Sequence, residues 1–309
     1  MEPAKTIEIP SQRYGRYRVR SRLGAGGMAE VFLAEAVDEN GDQVNIALKL
    51  MKQGSSQEAF ADEADLMGLL SHPNLTKRLE VGEAFGRPFI AMEFLVGGDL
   101  REVMAAHRLK ALELPVPMAV HVLIEVLKGL AYFHQATTRT GTALGLVHGD
   151  VNPANVFFSE AGEVKLGDFG VAKGHQGTVG PAEGVAAGKL HYLSPEQTRG
   201  EPMGPPSDLF SVGVMLHELV VGYHPFQVKG ADPPSVMAAI RSAKLTLPSY
   251  VDRPIAAILA RALAPDLKVR YRTAGEFAGD LFRYTLDAGL GRSPRDVQLW
   301  LEDVLGLLL

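Results

Sequence analysis

What most limits the folds open to this chain is a change of periodicity near residue 95. Before it, short strand-like runs dominate: Tyr17–Leu23, Val31–Val37, Val44–Leu50, Leu79–Val81 and Phe89–Glu93. A single segment there, Gln57–Leu70, spaces Phe60, Met67 and Leu70 as one face of a helix. Asn40-Gly41, between the second and third runs, is a hairpin signal. Gly97-Gly98 reads as a hinge. After it, Met118–Ala136 and Leu209–Val221 are apolar nearly all round, as buried helices are. Ile255–Leu263 and Ala274–Leu286 are amphipathic. Strands first and helices second predict an α+β fold, with a ligand site expected between its two parts.

Composition narrows the function classes. A chain of 309 residues is enough for one large or two modest domains. A net charge of −5 argues against a nucleic-acid footprint, which would be basic. With no cysteine, disulfides and thiolate metal sites are excluded, which fits a reducing compartment. Residues 1–16 hold no apolar run of the signal-peptide kind. No stretch reaches the roughly 18 apolar residues of a membrane span. The longest, Leu209–Val221, is broken by Ser211, Gly213, His217 and Glu218. A soluble, cytoplasmic chain without a membrane span is expected.

Three local patterns point to phosphate chemistry. The run Gly24-Ala25-Gly26-Gly27-Met28-Ala29-Glu30-Val31 approximates G-x-G-x-x-G-x-V and joins two strand-like runs. A dinucleotide-binding turn would be followed by a helix, so this turn suits a flap over phosphates instead. The residues alone leave open a glycine-rich hairpin that binds nothing. In Val44–Leu50, alternation puts Val44, Ile46, Leu48 and Leu50 on the core face and Ala47 with Lys49 on the other. Glu63 lies beside the Phe60–Met67 stripe, where an unpaired carboxylate would be costly, and Lys49 is its expected partner. The alternative is a Glu63 at the stripe's edge that reaches water. Finally, Asn155 and Asp168 flank a segment that folds about Ala161-Gly162, so that both would meet at the open end of a hairpin. Two such oxygen donors suit Mg²⁺, and Asp150 lies five residues earlier. Turn and cap roles for the Asn and Asp remain the alternative.

In order and spacing these motifs resemble the protein kinase family, in its eukaryotic-like (Hanks-type) bacterial serine/threonine form. The resemblance is carried by Leu23–Val31, Ala47-Leu48-Lys49, Glu63, His148-Gly149-Asp150, Asn155, Asp168-Phe169-Gly170 and Ser194-Pro195-Glu196, over about Tyr17 to Leu286. Asp208–Gly213 resembles the anchor of the family's central helix, and Arg270 the ion-pair partner of Glu196. The resemblance implies a two-lobed fold: extension 1–16, small antiparallel sheet lobe with one main helix 17–95, larger mainly helical lobe 96–288, helical tail 289–309. It implies ATP and Mg²⁺ as cofactors. Lys49, held by Glu63, would contact the α- and β-phosphates, Asp168 and Asn155 would hold Mg²⁺, and Asp150 would accept the proton of the attacking hydroxyl. Leu23, Gly24 and Gly26 would cover the nucleotide, and Val31, Ala47 and Phe157 would enclose adenine. Met92 would be the gatekeeper, Glu93 and Leu95 would offer backbone hydrogen bonds, and Asp99 would touch the ribose.

Three departures accompany the resemblance. Gly149 stands where many kinases have an Arg that reads a phosphorylated activation loop. The only Ser or Thr between Asp168 and Gly188 is Thr178, so activation by loop phosphorylation is not expected. Asn152 replaces the usual Lys, and Lys189 follows Gly188 where Thr is usual. Lys189 would reach toward Asp150 and return the charge that Asn152 lacks; otherwise it faces solvent and catalysis is weakened. The expected function is transfer of the ATP γ-phosphate to protein serine or threonine, with a protein substrate or signalling partner. A pseudokinase scaffold is the alternative, and a small-molecule kinase is disfavoured by Ser194-Pro195-Glu196. Thr137–Leu146 reads as a surface insertion. In the tail, Val297, Trp300, Leu301, Val304 and Leu305 follow helical spacing, which fits a packed helix, a linker or a partner-binding helix.

Overall fold

The computed structural model describes residues 13–38, 40–138, 140–170, 173–174, 190–226 and 232–306. The chain forms two compact units. The small unit is Met1–Ser71 with Thr76–Leu95, and the large unit is His72–Leu75 with Val96–Leu309.

The small unit runs β1 (Arg13–Tyr14), β2 (Tyr17–Ala25), β3 (Ala29–Val37), β4 (Gln43–Met51), α1 (Gln57–Leu69), β5 (Arg78–Ala84) and β6 (Arg87–Glu93). The strands form an antiparallel sheet in the order β1-β2-β3-β4-β6-β5. Period-two alternation makes one face apolar, and Tyr17, Val19, Phe32, Ala34, Ile46, Leu48, Leu50 and Phe89 form the core there. Helix α1 begins where the Ser56 hydroxyl accepts the Ala59 N–H, and it buries Phe60, Glu63, Ala64 and Met67. The short strand β1 was not expected.

The large unit holds α2 (Leu100–Leu109), α3 (Val116–His134), β7 (Leu146–Val147), a 3₁₀ turn (Pro153–Asn155), β8 (Val156–Phe158), β9 (Val164–Leu166) and β10 (Lys173–Gly174). Then follow α4 (Pro195–Thr198), α5 (Pro205–Val221), α6 (Pro233–Ser242), α7 (Arg253–Ala262), α8 (Ala274–Asp287) and α9 (Pro294–Leu305). Helix α5 is buried along nearly its whole length. Helix α3 packs on α5 and α8. By length and composition α3 is apolar enough to cross a membrane, contrary to the expectation that no stretch would be. Its most apolar window is 61% buried inside the unit, with Val120, Val122, Leu123 and Leu127 at 0% exposure, so it is accounted for as a core helix. Within the expected insertion, Thr137 and Ala143 pair in an isolated antiparallel bridge. The tail forms α9, capped by Ser293 and buried through Val297, Trp300, Leu301 and Val304. The structure therefore takes the first of the three readings of the tail. The α+β class, an antiparallel sheet with one helix and a larger helical part, is as expected.

Candidate active site

The small unit brings a cation and a carboxylate together. Lys49 lies opposite Val31 on β3 and Ile90 on β6, with Ala47 opposite Leu33 and Met92. Ile46, Leu48 and Leu50 are buried, while Ala47 and Lys49 are half-buried on the other face. The Lys49 Nζ is 2.5 Å from Glu63 Oε1, with side-chain exposures of 11% and 2%. Glu63 therefore does not reach water at the edge of its stripe. Two ions so far out of water require each other.

The glycine turn connects β2 and β3, and the Gly26 N–H donates to the Ala29 carbonyl at 2.9 Å. At Gly24 and Gly27 a Cβ would meet nothing within 4 Å among the described residues, so the backbone is open to approach. Leu23 is exposed. Glu93 closes β6, and its N–H donates to the Lys77 carbonyl at 3.1 Å. Any contact from Glu93 to a base therefore runs through its carbonyl. Leu95 follows two residues later and is half-buried.

In the large unit, Asp208 of α5 organises the loop that carries Asp150. Its carboxylate accepts the His148 N–H at 2.9 Å, the Gly149 N–H at 2.8 Å and the His134 Nε2–H at 2.8 Å. Burial alone would raise the carboxyl's pKa. The hydrogen bonds, that from His134 foremost, outweigh it and hold the group below the usual range. Gly149 sits at φ +74°, a left-handed conformation that glycine adopts without strain. Its carbonyl accepts from Gln197 Nε2 at 2.9 Å, which ties the loop to the Ser194-Pro195-Glu196 segment.

The Asp150 carboxylate is held from both sides. Asn152 Nδ2 donates to Oδ1 at 2.9 Å and to the Asp150 carbonyl at 2.9 Å. Asn155 Nδ2 donates to Oδ2 at 3.1 Å and to the same carbonyl at 2.8 Å. The Asn152 oxygen meanwhile caps the 3₁₀ turn by accepting the Ala154 N–H. Asn152 is thus more than a missing cation: it orients Asp150, a role that its residue type and position do not signal. His134, to which no role was given, and Gln197 were missed for the same reason.

The hairpin closes in register, with Val156 opposite Leu166 and Phe158 opposite Val164. At its open end the Gly167 N–H donates to the Asn155 carbonyl at 2.9 Å. That bond brings Asn155 and the residue preceding Asp168 side by side. Asp168 has φ +63°, a strained value for a residue with a side chain. Phe169 is buried against Phe133 and His148, ring centroids 5.5 Å from each. With its nitrogen donating to Asp150, the Asn155 oxygen is the atom suited to a hard cation, and Asp168 supplies a second such oxygen. This donor set fits Mg²⁺.

Asp99 caps α2: its Oδ1 accepts the Glu102 N–H at 2.9 Å, and Glu102 Oε2 accepts the Asp99 N–H at 3.1 Å. Burial pushes its carboxyl above the usual range. Its backbone bridges that of Phe157. Arg270, at 0% exposure, donates to Glu196 at 2.8 and 3.3 Å. Thr178, Gly188 and Lys189 lie outside the described residues.

Residues 17–277 match the family model described as protein kinase domain. The chain belongs to the protein kinase family. This kinase domain is 35% identical to the tyrosine-protein kinase MasK of Myxococcus xanthus, across 92% of the chain and 45% of that protein. It is 30% identical to the serine/threonine-protein kinase PrkC of Bacillus subtilis, across 86% of the chain and 40% of the relative. It is 31% identical to the serine/threonine-protein kinase PknB of Mycobacterium leprae, across 90% and 44%. The chain thus spans less than half the length of these curated relatives. They make it a Hanks-type kinase domain of the bacterial kind.

Proposed function

We propose that the domain transfers the γ-phosphate of ATP to serine or threonine hydroxyls of proteins. The observation that carries this reading is the two-sided grip of Asn152 and Asn155 on the Asp150 carboxylate. A carboxylate held in one orientation suits a hydroxyl that must be aligned and deprotonated as its oxygen bonds to phosphorus. The roles that follow are the family's own, carried onto these residues. Lys49, kept in place by Glu63, binds the α- and β-phosphates. Asn155 and Asp168 hold Mg²⁺, which supplies positive charge beside the phosphates when bound. Leu23, Val31, Ala47 and Met92 offer apolar surface to adenine, and Phe157 offers more. Gly24 and Gly26 belong to the turn that covers the phosphates, with open backbone at Gly24, Glu93 and Leu95 offer backbone groups to the base, and Asp99 offers its carboxylate to the ribose. Positioning and charge neutralisation do most of the work.

The scaffold reading rested partly on Asn152, and its contact with Asp150 removes much of that support. Lys189 keeps its proposed role of returning a charge near Asp150. The lobes are assigned to 17–95 and 96–288, with 1–16 and 289–309 as flanking segments. A cytoplasmic setting, where ATP is available, completes the proposal. Tyrosine is the second acceptor class, because the relative MasK is named for it.

The test is phosphotransfer to mixed protein acceptors with Mg·ATP, followed by phosphoamino-acid analysis. Asp150→Asn is expected to lower turnover about a hundredfold or more, the usual size of a lost general base. Chelation of Mg²⁺ is expected to abolish turnover. Wild-type protein that binds ATP without turnover would establish the scaffold instead.

A further inference from the structure

We infer that Trp300 is a positioning residue for the nucleoside end of ATP, acting through α2 and the β8–β9 hairpin. The inference rests on the nucleotide-binding reading above. Helix α9 lies beyond residues 17–277, the part that matches the family. It is nevertheless built in: Val297, Leu301 and Val304 are exposed by 0%, 0% and 2%. Trp300 sits where two elements meet. Its indole N–H donates to His107 Nε2 at 3.0 Å in a buried setting. Its ring stands edge-on to Phe158, centroids 6.1 Å apart at 86°.

His107 lies in the last turn of α2, the helix that Asp99 caps. Phe158 is the neighbour of Phe157 on β8. The backbone joins the same two elements at the other end. Gly97 N–H donates to the Phe158 carbonyl at 2.9 Å, Phe158 N–H donates to the Gly98 carbonyl at 3.0 Å, and Asp99 bridges Phe157. The indole therefore fixes the spacing between the helix that presents Asp99 and the strand that presents Phe157. Two more contacts pin α9 to the same elements. Lys110 Nζ donates to the Asp303 carbonyl at 2.8 Å. In the hairpin turn, a Cβ on Gly162 would stand 1.9 Å from the Pro294 carbonyl oxygen, so helix and hairpin are in direct contact.

A helix of ten residues does not hold itself in water, and α2 depends on such packing. The groups in contact are buried and directional. Loss of the indole N–H leaves the His107 acceptor buried without its donor, a cost that a shift of α2 would relieve. Asp99 would shift with it.

The test uses the full chain with Trp300→Phe, which keeps an aromatic ring and removes the donor. ATP and adenosine affinities are measured by calorimetry, and KM for ATP and kcat by phosphotransfer. Both affinities are expected to weaken about fivefold, the scale of one lost hydrogen bond, with KM raised to match and kcat within about twofold. Should that variant not fold, His107→Leu removes the other partner and carries the same expectation. A lower melting temperature with unchanged adenosine affinity would make α9 a structural brace only and overturn the inference. A fall in kcat at unchanged KM would overturn it too. Wild-type protein that binds neither ATP nor adenosine would instead refute the nucleotide reading, and this inference with it.

Discussion

At the scale of single residues, Asn152 shows how the meaning of a side chain depends on the path of the backbone. Against the family pattern it is a lost lysine. In the loop its nitrogen holds Asp150 while its oxygen caps the 3₁₀ turn. Nothing in the residue type announces that double use, because it follows from the loop's turn after Asp150. Lys49 with Glu63 was legible, since a carboxylate beside an apolar stripe demands a cation. Against the family pattern Gly149 is a missing arginine, and nothing in the residue order signals its left-handed φ. One outcome separates orientation from binding. Asn152→Ala is expected to lower kcat about tenfold, near the value of one oriented hydrogen bond, while ATP affinity stays within about twofold. Steady-state kinetics beside a direct binding measurement checks it.

At the scale of elements, the long apolar helices and strands β2 to β6 of the small unit were legible from period alone, to within a few residues at each end. Helix α2 was not expected, although Asp99 and Glu102 have the spacing of a capping box and could have revealed it. Helix α6 was missed as well, behind Asp232-Pro233-Pro234, a capping residue followed by prolines at the first helical positions. How helices approach each other was not legible. On α5, a Cβ at Gly213 would lie 2.8 Å from the Ala262 Cβ on α7. Alanine is favoured over glycine in a helix by about 1 kcal/mol, whereas overpacking costs about 1–3 kcal/mol. Because the crowded atom is a methyl fixed to a helix backbone, crowding wins. Gly213→Ala is expected to destabilise by about 1 kcal/mol in urea unfolding. Adding Ala262→Gly should give a double variant less destabilised than the sum of the two single changes.

For the molecule as a whole, stability carries a pH dependence that one buried imidazole helps to set. His224 donates from Nε2 to the His191 carbonyl at 2.9 Å and accepts the Phe226 N–H at Nδ1 at 3.1 Å. The bond accepted at Nδ1 needs an unprotonated nitrogen there, so the two together specify the neutral ring with its proton on Nε2. Burial, helped by the neighbouring His191, lowers its pKa from 6.5 to about 4. Between those values the unfolded chain binds a proton that the folded chain refuses. The contribution is thus complete above about pH 6.5 and is lost as pH falls toward 4, by up to about 3 kcal/mol. Urea midpoints measured across that window should slope less steeply in His224→Gln than in the parent. The division into a sheet-rich and a helical part was legible at this scale, because strand and helix periods differ. The fate of the tail was not, since its apolar residues fit several partners equally well. That tail has a practical consequence. A recombinant fragment trimmed to the bare family match would shed the indole and the aliphatic side chains that roof α2 and the hairpin. It would present His107 and Phe158 to solvent, and the stickiness of such a fragment would be blamed on the catalytic domain when the fault lay with the cut.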